Sequence, residues 1–369
     1  MYTFPMRRFI SIFFIILSFV GFASARSDAR DDVEFYRARV VEVLAEGTQD
    51  AAGFEQPYQR LEVEILSGSE KGKKLKVEYG GVNSINEDQK MKKGDDVVLS
   101  KAEVMGSSVY GVNDKYRLTP LLWIALVFLA VAIIFGRIKG FTSVIGMIFS
   151  LLFLIKFTIP QILDGKDPLT MCLLAAFFIG IVSIYLAHGF NKRTTIALGS
   201  TVITLGIAAF LAIWAVAFAK LSGASSEEVW FLQLEGLENL DPRGLLLGGM
   251  IIGILGILDD ITTAQVAVVD ELHQANPGFS VSHLYKKGLS VGQEHIAALI
   301  NTLVLAYAGV SLPLLLLFAL DQHEPWWVTL NSEFLAEEVV RTLVGSMALV
   351  FAVPISTFLA AAFYKRKKS

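Results

Sequence analysis

From residue 118 onward the chain consists of long apolar stretches separated by short charged loops, and this succession constrains the fold more than any other feature. A stretch of about 20 apolar residues covers the roughly 30 Å of hydrocarbon in a bilayer. The spacing predicts about seven such helices, at 118–136, 141–163, 168–187, 195–220, 243–260, 295–320 and 341–364. Composition agrees, with 54% hydrophobic residues, 18% charged residues and a mean hydropathy of +0.55. A soluble core cannot hide that much apolar surface, so the lipid bilayer is the expected solvent for an α-helical polytopic membrane protein.

The charges between these stretches orient them. Basic positions (Arg137 and Lys139; Lys192 and Arg193; Lys286 and Lys287; Lys365-Arg366-Lys367-Lys368) alternate with acidic loops carrying Glu227, Glu228, Glu235, Glu238 and Asp241, then Asp321, Glu324, Glu337 and Glu338. Basic loops stay in the cytoplasm, which places the C-terminus inside and the segment before the first helix outside, as in a bacterial inner membrane. Trp326-Trp327 falls where an outer aromatic belt is expected. The N-terminal end, residues 1–25, reads as a signal peptide or an uncleaved anchor: Arg7 and Arg8, the apolar run Phe9 to Phe22, then Ala23-Ser24-Ala25. Both readings export residue 26 onward.

Residues 26–117 change character. Runs at Tyr36 to Val43, Tyr58 to Ile65, Lys73 to Val77 and Asp95 to Leu99 alternate apolar with polar residues and are bounded by Gly-rich turns. That period of two predicts a small all-β extracytoplasmic domain, a compact barrel or sandwich. The seven-helix transmembrane domain then occupies 118–369.

Several chemistries find no support. The single cysteine, Cys172, excludes an intrachain disulfide. The histidines lack metal-ligand spacing, and no Gly-rich phosphate loop ends in Lys-Ser/Thr, so no metal, cofactor or ATPase activity is expected. A net charge of −3 gives no reason for a nucleic-acid partner.

The informative stretch runs from Gly248 to Leu272. Gly249 and Gly253 form a G-x-x-x-G pair with Gly256 a turn further on, a pattern that lets another helix approach closely. Asp259 and Asp260 follow, then Asp270 and Glu271. Eleven residues are close to three turns, so Asp260 and Glu271 share a face of an unbroken helix, as do Asp259 and Asp270. A carboxylate at the bilayer centre costs about 2.5–3.5 kcal/mol on insertion scales. Two readings stay open: the pair lines an ion or solute pathway, or the span ends at Leu258 and the pair caps it in the cytoplasm. On the sixth helix Glu294 and Asn301 share a face, and Thr302, Tyr307, Ser311 and Pro313 interrupt the apolar run. A Pro-broken helix suits a binding site, while Asn301 and Tyr307 equally suit interhelical hydrogen bonds.

The β module with Lys92-Lys93-Gly94-Asp95, the turn His188-Gly189-Phe190-Asn191 and the run Gly253 to Leu272 carry a resemblance. So do Val291-Gly292, Asn301 to Tyr307, Leu312-Pro313 and the stretch from Glu337-Glu338 to Pro354. Together they resemble the YibE/F family of bacterial multi-pass membrane proteins. The resemblance implies a membrane permease without an assigned substrate. A proton- or cation-coupled secondary transporter of a small solute or ion is the first expectation. The alternative is an assembly or regulatory subunit that docks a membrane-protein partner, or a second copy, through its β domain. An aspartyl protease comes third, because it needs carboxylates on two facing helices and Asp259-Asp260 are adjacent on one.

Overall fold

The computed structural model describes residues 33–51, 54–80, 85–104, 106–237, 239–320 and 325–365. The expected targeting segment at 1–25 lies outside these. The chain divides into two compact units, one spanning Ser24–Val131 and the other holding Ala132–Ser369.

In the first unit, strands β1 (Glu34–Ala51), β2 (Phe54–Ile65), β3 (Lys74–Tyr79), β4 (Asp96–Val104) and β5 (Ser107–Lys115) form one antiparallel sheet in the order β3-β2-β1-β4-β5. The edge strands β3 and β5 approach each other, so the sheet curls into a half-barrel. Alternation drives it: Tyr36, Ala38 and Val40 turn inward onto Leu61, Val63, Ile65, Val97 and Leu99, while Arg37 and Arg39 turn outward. Both arginines bind Asp96 on β4, at 2.6 and 2.7 Å. The polar residue Gln59 is 1% exposed and is satisfied by the backbone of Met91, which it both donates to (3.1 Å) and accepts from (2.7 Å). This pair ties the segment after β3 across the mouth of the sheet. Strand β5 was not foreseen, because SSVYGVNDK has little apolar alternation and only Val112 is buried in it.

A surface cluster staples the β2–β3 turn to the far strands. The Glu70 carboxylate accepts from Lys73 (2.8 Å), Lys101 on β4 (2.9 Å) and Tyr110 on β5 (2.8 Å). These donors hold its carboxyl down at about 2, below the usual carboxylate value.

In the second unit the described residues include α1 (Leu118–Phe153, which begins in the first unit), a π-helical turn (Leu154–Thr158), α2 (Ile159–Leu163), α3 (Pro168–His188), α4 (Lys192–Phe218) and α5 (Glu227–Leu234). Then come α6 (Pro242–Ala275), α7 (Val281–Val310), α8 (Leu312–Leu320), α9 (Trp326–Asn331) and α10 (Glu333–Lys365). Six helices are long and apolar enough to cross a bilayer, the first running 46 residues from Leu118 to Leu163. The helices expected at 118–136 and 141–163 are both contained in it. They meet at Arg137, which takes a non-helical conformation (φ 50°, ψ −135°). The backbone turns back there: a Cβ on Gly140 would collide with the Ala132 carbonyl.

The centre of the unit is α6, which touches α3, α4, α7 and α10. More than half of its apolar window is buried, 56%, against 6% for α7, so α7 is peripheral. Alanines on α4 (Ala208, Ala212, Ala215) and α10 (Ala348, Ala352) allow the close approach. Large apolar side chains remain exposed on the outside, among them Phe210, Trp214, Phe218 and Leu305. A surface of that kind belongs in lipid.

Three expectations change. The fifth helix does not stop at residue 260 but runs to Ala275, so Asp259-Asp260 sits mid-helix and caps nothing. The sixth helix starts at Val281 and breaks at Ser311, two residues before Pro313, which has no N–H to donate to the carbonyl four residues back. The glycines expected at a close helix contact are not there: among the described residues a Cβ on Gly249 or Gly256 would meet nothing within 4 Å, and on Gly253 only the Tyr307 hydroxyl at 3.8 Å. The close contacts use overlapping pairs instead. Gly244 and Gly248 pack on Pro168 and Cys172 of α3, while Gly288 and Gly292 of α7 pack on Gln265 and Val269 of α6 and on Val353 and Thr357 of α10. Gly248 and Gly249 are neighbours in sequence but stand about 100° apart around the helix, which puts them on different faces.

Two outcomes follow from this packing. Gly292→Ala should lower the stability of the purified chain by about 1–3 kcal/mol through overpacking, whereas Gly253→Ala should not destabilise it. Thermal unfolding in detergent reads the difference, and equal losses would contradict the assignment. For Glu70, the folded value lies below the unfolded one. Its contribution is therefore complete above about pH 4.5 and disappears as the pH falls towards 2. Between those limits the melting temperature of the β domain should fall less steeply in Glu70→Gln than in the wild type.

Candidate functional site

Asp259 and Asp260 lie halfway along the 34 residues of α6 and point in different directions. Asp259 faces α3, where its Oδ2 accepts from the Ser183 hydroxyl at 3.0 Å. Its Oδ1 is buried and has no hydrogen-bond partner among the described residues. A carboxylate oxygen withdrawn from water and left unpaired is costly, and such a group calls for a proton, a cation or a water. One turn on, the Thr263 hydroxyl donates to the carbonyls of Asp259 (2.8 Å) and Asp260 (3.1 Å), closing the α6 backbone around the pair.

Asp260 is exposed and opens into a groove of about 490 Å³ between α6 and α7. Gly253 and Gly256 line the α6 wall, and His295, Ala298 and Thr302 line the α7 wall. On the α6 wall the missing side chains of Gly253 and Gly256 leave this space open. The glycines read from sequence as packing residues thus make room instead.

Beyond the acidic pair the same helix carries a buried polar seam. Thr262 shares a 2.7 Å hydrogen bond with Thr201 on α4. Gln265, 1% exposed, donates to the Gly288 carbonyl on α7 (2.8 Å) and to Thr357 on α10 (2.7 Å), and its buried Oε1 has no partner among the described residues. Sequence reasoning passed over this seam. Its signal was a polar residue every three positions (259, 262, 265) inside an otherwise apolar span.

The remaining sequence candidates are dispersed. Asp270 lies beside the Tyr364 hydroxyl on α10, and Glu271 lies 3.9 Å from Arg193 in the first turn of α4. Glu294 and Asn301 are exposed on α7, and neither lines the groove. The sequence lets Asp259 or Asp260 group with Asn301 and Glu294 of the neighbouring helix; Asp259 looks instead towards α3, and Asn301 lies one position, about 100°, away from the groove-lining Thr302. Tyr307 does approach the site, with its hydroxyl over Gly253.

Neither a curated protein nor a solved structure matches the chain. Two family descriptions do. Residues 35–112 match the YibE/F family N-terminal domain, which corresponds to the half-barrel, and residues 124–366 match the YibE/F-like protein, which corresponds to the helical unit. The chain belongs to the YibE/F family and is a membrane protein.

Proposed function

We propose that this protein is a secondary permease in which the acidic midpoint of α6 handles a proton or small cation coupled to a solute. The observation that carries the reading is the half-satisfied carboxylate of Asp259, whose Oδ1 is buried midway along the most enclosed long helix. A carboxylate so placed accepts either a proton or a cation, and exchanging one for the other is the elementary step of a coupled carrier. Asp260, one residue on, offers the same chemistry to the α6–α7 groove, which supplies a route of access.

The topology we propose has seven crossings. The 46 residues of Leu118–Leu163 would span about 69 Å if straight, over twice the hydrocarbon thickness, and the reversal at Arg137 makes them two crossings. Lys139, His188 and Arg193 gather at one end of the helical unit, which is then the cytoplasmic end by the distribution of positive charge. The β domain is extracytoplasmic and the C-terminus cytoplasmic, in an inner membrane.

Topology is tested with single cysteines, since Cys172 is buried. Ser108→Cys, on the exposed β4–β5 hairpin, should react with a membrane-impermeant maleimide in intact cells, and Ser282→Cys only after permeabilisation. The reverse pattern would invert the topology.

Transport is tested in proteoliposomes by screening uptake of ions and small solutes under imposed pH and cation gradients. Asp259→Asn keeps a group that Ser183 can bond to but removes the charge, so it should reduce coupled uptake to background while expression and monodispersity persist. The double variant with Asp260→Asn should do the same. Normal flux in the double variant would reject the site. A stable co-purifying partner without any flux would instead favour the assembly-subunit reading.

A further inference from the structure

The turn between α3 and α4, His188-Gly189-Phe190-Asn191, takes no part in the acidic site, yet it is tightly built. Gly189 ends α3 at φ 77°, a conformation that side-chain-bearing residues rarely adopt. Asn191 caps α4: its Oδ1 accepts from the Thr194 amide at 2.9 Å, and its Nδ2 donates back to the His188 carbonyl at 2.9 Å. The Phe190 ring stacks on Tyr185 at 4.3 Å. This turn holds His188 and Arg193 in the lining of a cavity of about 290 Å³, to which Lys139, from the segment just after the reversal at Arg137, also contributes.

Three cationic or protonatable groups from three separate elements thus converge on one open space, and among the described residues no carboxylate lines it. Such a convergence is repulsive unless an anion relieves it. The charges nearby do so only in part. Glu271 reaches Arg193 at 3.9 Å, leaving most of the guanidinium fork free, and Asp260 acts on His188 from outside the cavity wall. The first turn of α4 adds backbone amides and the positive end of its dipole. The neutral hydroxyls at the wall are already committed: Thr194 to the His188 carbonyl, Thr263 to the α6 backbone. The donors that remain are therefore the cationic ones. The space, about 290 Å³, has room for a polyatomic anion together with water.

We propose that this cavity binds a phosphate group, presented either by an anionic lipid headgroup or by a soluble phosphate. Arg193 grips two phosphate oxygens with its planar fork, Lys139 supplies a mobile point charge, and His188 closes the site. Basic recesses between membrane helices at their cytoplasmic ends recognise phosphate headgroups on the same grounds.

The test uses the full-length chain, delipidated in a neutral detergent. Its thermal unfolding is followed against inorganic phosphate, phosphatidylglycerol or phosphatidylcholine added to the same micelles. A saturable rise in melting temperature is expected with phosphatidylglycerol or with phosphate. A response to phosphatidylglycerol alone identifies the headgroup source, and a response to phosphate identifies a soluble one. Arg193→Gln should raise the half-saturating concentration by roughly tenfold or more, and Lys139→Gln should act in the same direction. If Arg193→Gln does not fold, the Lys139 variant carries the test, because that side chain is exposed just after the reversal at Arg137. Lys192→Gln, exposed and outside the cavity, should leave half-saturation unchanged. The proposal is overturned if neither probe saturates, if phosphatidylcholine acts as strongly as phosphatidylglycerol, or if Lys192→Gln weakens binding as much as Arg193→Gln.

Discussion

Gln265 joins three helices at once. From α6 it donates to a backbone carbonyl of α7 and to a hydroxyl of α10, inside a bundle where the surrounding side chains are Leu, Ile, Val and Ala. In lipid, apolar packing alone gives helices little reason to prefer one neighbour over another, since hydrocarbon tails are as apolar as leucine. A buried amide changes that, because its N–H groups are met only in the arrangement that brings the Gly288 carbonyl and the Thr357 hydroxyl to it. Gly288 and Gly292 make the bond reachable by bringing the α7 backbone against α6 and α10. The tight end of the α6–α7 pair is thereby determined, and so is the point from which the two helices diverge into the groove beside Asp260.

The polar features of α6 form a graded series rather than isolated oddities. Towards its C-terminal part, Gln265 and Thr262 are bonded to neighbouring helices and act as structural ties. At the midpoint Asp259 is half satisfied by Ser183, and Asp260 opens into the groove. Rigid ties beside an incompletely satisfied carboxylate hold the functional group in place while leaving it free to exchange its partner. The half-barrel stands apart from this logic. Its internal polar group, Gln59, is fully engaged with Met91, and its charges pair on the surface, as expected of a small domain stabilised by a single curled sheet.

Much of the fold was legible because its signals are local. Strand alternation at Tyr36, Ala38 and Val40 and the apolar windows of the helices need no partner to be read. The errors arose where a local pattern has two geometric meanings. Gly249-x-x-x-Gly253 looks like Gly244-x-x-x-Gly248 in sequence, but only the second pair faces a neighbour. For Asp259-Asp260 the sequence left a mid-helix place and a cap open, and the helix running on to Ala275 rules out the cap. Strand β5 lacked the alternation that marks its neighbours, because its place at the sheet edge buries little of it.

By itself the sequence determined that the chain enters lipid, which segments are apolar enough to do so, and that acidic residues stand in one of them. Those properties follow from the transfer free energies of side chains, which depend on composition over a window of about 20 residues. Only the tertiary structure decided what each polar group touches: Asp259 with Ser183 rather than Asn301, Glu271 with Arg193, and Lys139 beside His188 although 49 positions separate them in the chain. A rotation of about 100° per residue means that neighbours in sequence can face opposite partners. Which partner is met depends on how helices distant in sequence pack, and no local pattern encodes that.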